Sequence, residues 1–149
     1  MVSAPVLSTI GYKGTTIAAV LDALRAAHVS LLIDVRAVAA SRKPGFSKRL
    51  LAAGLAERGI GYLHLQGLGT PKEGRQAVRA GHPERMRAIY AEHMRSDRAQ
   101  AELARAREEG LRTNACLLCF ERDHRTCHRA IVAELIAAET GQTIAHLLP

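Results

Sequence analysis

Residues 30–36 read Ser30-Leu31-Leu32-Ile33-Asp34-Val35-Arg36. Leu31, Leu32 and Ile33 follow one another with no polar residue between them. A strand with one face in water alternates apolar and polar; a strand covered on both faces does not. The run closes on an Asp and an Arg two positions apart, so both side chains leave the strand on one face. This pattern fits a parallel sheet lying between two helical layers.

The same reading extends outward in both directions. Residues 6–10, VLSTI, form a strand, and Thr15 or Thr16 caps a helix reaching about Ala27. In that helix Ile17, Val20, Leu21 and Leu24 make one apolar stripe at i, i+3, i+4 and i+7. Ser47 opens a helix to about Arg58, which Gly59 stops. Residues 60–65, IGYLHL, form the third strand. The stretch Gln66–Pro83, rich in Gly, Pro and cations, reads as a long loop of the kind used as a lid or mobile segment. Helical patterning resumes from Glu84 towards Met94, and Ser96 or Asp97 caps a helix ending at Glu109–Gly110. Residues 115–119, ACLLC, are the fourth strand, 127–139 a helix, and 143–148, TIAHLL, the fifth strand. Strands alternating with helices predict an α/β fold. The expectation is a single three-layer domain over 1–149, its mostly parallel sheet of about five strands carrying helices on both faces.

The 149 residues carry Lys+Arg 21 against Asp+Glu 14, a formal charge of +7. Only Lys13, Lys43, Lys48 and Lys72 are lysines, so the cationic character is guanidinium, which binds phosphate and carboxylate bidentately. The balance points to an anionic partner, a small molecule or a nucleic acid. No apolar run reaches the roughly 18 residues of a membrane span, and MVSAPVLSTI has no basic segment ahead of its apolar stretch. Cys116, Cys119 and Cys127 are odd in number and clustered, which suggests reduced thiols and a cytoplasmic location.

Polar groups gather after the strand ends, where ligands of such folds sit. After the first come Gly11, Tyr12, Lys13 and Gly14, a tight turn into a helix N-terminus. After the second come Asp34 and Arg36, then Ser41, Arg42, Lys43, Phe46, Lys48 and Arg49. Cations around one aromatic suit phosphate contact with base stacking, or else Phe46 is a core plug. The third strand presents Tyr62 and His64 on one face. After the fourth comes the densest segment, Cys119-Phe120-Glu121-Arg122-Asp123-His124-Arg125-Thr126-Cys127-His128-Arg129. A cysteine at a helix start beside His and Arg favours the thiolate. Three readings compete here. One is nucleophilic catalysis by Cys119 or Cys127. A second is a zinc site of Cys119, Cys127 and His128, although C-x2-C-x7-C-H is not a finger spacing, and Cys116 and Cys119 face opposite ways. The third is an anion pocket built on Arg129, with the cysteines merely packing. Cys119-x5-Arg125 has a phosphatase-loop spacing, but lacks the glycines and the closing Ser or Thr.

Together TIGY-x-G, LLIDVR with SRKPGFSK, GIGYLHL-x-x-LG and LLCFERDHRTCHR resemble the DUF488 family over nearly the whole chain. The resemblance implies an α/β fold and a shared site but no established reaction. It marks Gly11, Tyr12, Asp34, Arg36, Ser41, Phe46, Tyr62, Cys119, Glu121, Cys127, His128 and Arg129. Two departures are visible: Ala37-Val38-Ala39-Ala40 stands where a proline usually follows DVR, and Leu68-Gly69-Thr70 replaces LGG. Rhodanese is a more distant likeness, sharing an IDVR stretch and a later thiolate.

The leading expectation is an enzyme, a hydrolase or transferase, acting on a phosphate-bearing substrate. Arg36, Arg42 and Arg129 clamp the anion, Glu121 or His128 moves the proton, and Cys119 or Cys127 attacks if the chemistry is covalent. The alternatives are a non-catalytic nucleic-acid-binding module using 42–49 and 72–79, and rhodanese-like sulfur chemistry. No cofactor is expected, zinc being the alternative, and a homodimer would cover the sheet edges.

Overall fold

Each apolar run forms a strand, and all pair in parallel. The computed structural model describes residues 4–149. In chain order the elements are β1 Leu7–Gly11, α1 Ile17–Ala26, β2 Leu31–Asp34, α2 Lys48–Ala56, β3 Gly61–His64, α3 Lys72–Arg79, α4 Pro83–His93, α5 Asp97–Arg112, β4 Ala115–Cys119, α6 His128–Thr140 and β5 Ile144–Leu147. The sheet order is β3-β2-β4-β1-β5. One row of residues, Leu63–Ile33–Leu117–Thr9–His146, crosses the whole sheet in register. The expected α/β fold with helices on both faces is what the chain adopts.

Two apolar layers flank the sheet. On one face Ile10, Leu32, Cys116 and Leu118 pack under Val20, Leu21 and Leu24 of α1 and Leu51 and Leu55 of α2. On the other, Leu7, Ile33, Leu117 and Cys119 pack against α3–α6 through Ala77, Met86, Tyr90, Val132 and Ile136. The alternation of adjacent strand residues between faces separates Cys116 from Cys119, as the strand period requires. No helix among the described residues is long and apolar enough to cross a membrane.

The segment Gln66–Pro83 differs from the expected loop. A short 3-10 turn, Gln66–Leu68, leads into α3, and α4 begins directly at Pro83. Gly and Pro punctuate helices here. Pro71 stands immediately before α3, where its missing N–H costs nothing, and Gly81 ends the helix at φ 81°. Inside α3, Gly74 leaves room for the Thr70 methyl, which a Cβ would overlap.

The winding positions the site. From β1 through β2 to β3 the chain steps one way across the sheet, using α1 and α2 on one face. From β3 to β4 and on to β5 it steps back, using α3–α6 on the other. β1 and β4 are therefore neighbours whose outgoing chains part to opposite faces, and a crevice opens between their carboxyl ends. The Lys13 amide donates across it to the Phe120 carbonyl at 2.9 Å.

Candidate functional site

A cavity of about 750 Å³ lies over that crevice. Its floor is made by Cys119, Cys127 and His128. Glu121 and Ser41 stand at its walls, and Lys13, Arg36, Arg75 and Arg79 supply positive charge. Phe120 and Val38, both exposed, form an apolar rim.

Cys119 ends β4 and Cys127 stands just before α6, so strand and helix bring the two thiols to His128. The His128 Nδ1 lies 3.5 Å from Cys119 Sγ and 3.8 Å from Cys127 Sγ. Its Nε2 donates to the Val35 carbonyl at 2.7 Å, which fixes the ring and aims Nδ1 at the sulfurs. All three side chains are buried. Burial pushes the Cys127 thiol up, but its hydrogen bond with Cys119, the charge and hydrogen bond of His128 and the charge of Arg129 outweigh it and hold Cys127 well below the ordinary thiol range. Cys119 moves the opposite way, raised by its hydrogen bond to Cys127 and by burial. Burial lowers His128, and the Cys127 charge reverses this to a net increase. These shifts favour the thiolate form of Cys127 beside a more basic His128, and the thiol form of Cys119. Cys116, on the other face, is fully buried and its thiol is pushed far up by burial.

The Asp34–Arg36 pair forms a strut between strand ends. Arg36 Nε donates to Asp34 Oδ1 at 2.9 Å and Nη2 to Oδ2 at 2.7 Å, while Nη1 donates to the Tyr12 hydroxyl at 3.0 Å and the Phe46 carbonyl at 2.8 Å. Asp34 also accepts from the Tyr62 hydroxyl at 2.6 Å. Burial and this carboxylate raise Tyr62, and Asp34 raises Arg36 against the opposing effect of burial. His64 Nε2 donates to the Arg36 carbonyl at 2.8 Å. One network therefore ties together the ends of β1, β2 and β3 and the loop before α2. Arg36 reaches the cavity, but four of its five N–H groups already hold protein acceptors.

Several expected ligand contacts take a different form. Phe46 is fully buried and stacked on Tyr12, ring centroids 4.2 Å apart, so it is the core plug and no exposed platform for a base. Arg42 is exposed and does not line the cavity. Arg129 is fully buried: Nη2 donates to the Arg122 carbonyl at 3.1 Å, Nη1 to the Glu121 carbonyl, and Nε to Thr9 Oγ1 at 3.1 Å. It pins the 121–122 backbone and presents no fork to the cavity. Gly11 is required by packing, because a Cβ would overlap the Glu121 carbonyl oxygen. Asp34, Tyr62 and His64 also lie behind the cavity wall, whereas Tyr12, Ser41, Cys119, Glu121, Cys127 and His128 line it.

In the segment after Cys119 three amides are spent locally: Arg125 N donates to Asp123 Oδ1, Thr126 N to the Asp123 carbonyl and Cys127 N to the His124 carbonyl.

Sequence reading placed Arg75 and Arg79 only in a basic stretch, 72–79, and not at the cavity, and it gave no site role to Thr70, Met86 or Tyr90. Arg75 Nη1 donates to the Thr70 carbonyl at 2.8 Å, and Tyr90 packs its ring 5.3 Å from His128. The usable signal was the helix stop at Gly81 followed by Pro83. Reading it would have placed Arg75 and Arg79 on a helix with its last turn at the cavity.

The family model described as a domain of unknown function, DUF488, matches residues 16–136. Comparison with curated proteins and with solved structures finds no match.

Proposed function

We propose, for a chain that belongs to the DUF488 family, an enzyme that draws a phosphate-bearing substrate into the cavity at the β1/β4 crevice. Lys13, Arg75 and Arg79 hold the anion, with Arg36 behind them. Cys119, Cys127 and His128 are the reacting centre, and Glu121 moves the proton. One observation carries this reading: the three side chains of the Cys/His cluster form the floor of the same cavity whose walls hold four cations. Buried nucleophilic or ligating groups under a positive rim are expensive to maintain for packing alone. A non-catalytic nucleic-acid module has less support, because the aromatic meant for stacking is inside the core.

Calorimetric titration with inorganic phosphate and a nucleoside monophosphate tests the reading. Arg79→Ala removes an exposed side chain and is expected to weaken binding about tenfold or more, the range of a charged hydrogen bond. Affinity should also fall with added salt. Unchanged affinity in both Arg79→Ala and Lys13→Ala would overturn the anion site.

A further inference from the structure

We propose that Cys119, Cys127 and His128 bind one zinc-class divalent cation, with its fourth position open to the cavity. The three donor atoms lie within 4.8 Å of one another. A tetrahedral ion with ordinary Zn–S and Zn–N bonds separates its donors by about 3.5–3.8 Å. The two sulfur–nitrogen separations, 3.5 and 3.8 Å, already meet that requirement. The sulfur–sulfur separation lies within the same 4.8 Å.

Three further features fit the ion. A histidine ligand ordinarily donates its other ring N–H to a carbonyl, and His128 Nε2 does so to Val35. Two thiolates neutralise a doubly charged ion, so the buried site gains no net charge. Two sulfurs and one imidazole select zinc over the hard cations, which take oxygen ligands. The ion takes the place of the proton that Nδ1 and the sulfurs otherwise share, and binding releases protons from the cluster. All three ligands line the cavity, so the remaining position meets water or a substrate oxygen. A three-ligand site of this kind is the catalytic rather than the structural arrangement. That last step, and only that step, rests on reading the cavity as a substrate site.

The full chain, stripped with a chelator, is titrated with cobalt(II) alone and then zinc(II) alone. The expected result is a single equivalent of cobalt, bound with proton release and with sulfur-to-metal charge-transfer absorption and tetrahedral ligand-field bands, and then displaced by zinc. Cys119→Ser and Cys127→Ser should each weaken binding by more than about a hundredfold, the upper end of what losing a mere supporting group costs. Cys116→Ser, on the other sheet face, should bind as the parent does. Because serine at a buried site can unfold the chain, a second measurement uses the unaltered protein. Zinc should protect Cys119 and Cys127 from alkylation, mapped by mass spectrometry. Absence of stoichiometric cobalt binding, or its persistence in the Cys119→Ser/Cys127→Ser double variant, or alkylation indifferent to zinc, would each overturn the site. Phosphate titration of the metal-free protein reads the anion site separately, so either idea can fail while the other stands.

Discussion

Gly11 shows how tightly β1 is held against the segment after β4. A methyl group there meets the Glu121 carbonyl oxygen and the Arg129 guanidinium, neither of which is a free side-chain end. Gly11→Ala is expected to cost about 1–3 kcal/mol as overpacking, read as a lowered urea midpoint with an unchanged slope. His146 is a second sensitive position. Thr9 Oγ1 accepts from Arg129 Nε and is hydrogen-bonded to His146 Nδ1 at 2.6 Å, which places the His146 ring near the Arg129 charge. Burial, the stacked His124 ring and the Arg129 charge lower the pKa of His146 from its ordinary 6.5. Protonation is disfavoured in the folded state, so this contribution is full above 6.5 and is lost as pH falls through the lowered folded value. Between about pH 7 and pH 5 the urea midpoint should fall less in His146→Gln than in the parent. An equal fall in both would refute the assignment. Single residues were readable where their chemistry was local: Asp34 and Arg36 had to leave β2 together. Arg129 was not, because its partners Thr9, Glu121 and Arg122 are brought to it by the fold.

At the scale of elements, the strands and most helices were legible because each carries its own signal. Thr16 caps α1 by accepting from the Ala19 amide at 3.1 Å, and Ser96 caps α5 likewise at 3.2 Å. Ser47 also stands at a cap, but its hydroxyl turns to the Ser41 carbonyl and closes the preceding loop instead. α3 was obscured because glycines and prolines that bound and fit a helix look, in composition, like those that dissolve one. The segment 120–127 owes its shape to α6. Arg129 reaches from the first turn of α6 to hold the Glu121 and Arg122 carbonyls, and so sets where Glu121 meets the cavity. Arg129→Met is expected to speed amide hydrogen exchange at Arg125, Thr126 and Cys127 while leaving β2 and β4 protected. Equal acceleration throughout would mean that Arg129 supports the core as a whole and not this segment.

For the whole molecule, the gathering of polar groups at one sheet edge was foreseeable from strand order alone, since parallel strands all end on the same side. Which of them face the cavity was not, because β1 and β4 had first to be known as neighbours. That neighbourhood has a consequence for how the chain is made. β4 lies between β2 and β1, and more than half of the chain separates β1 from β4. As the polypeptide leaves the ribosome, β2 and β3 can pair, but β1 has no partner until residues 115–119 emerge. Until then an apolar strand stays unzipped, and late closure of the sheet is the step expected to be slow.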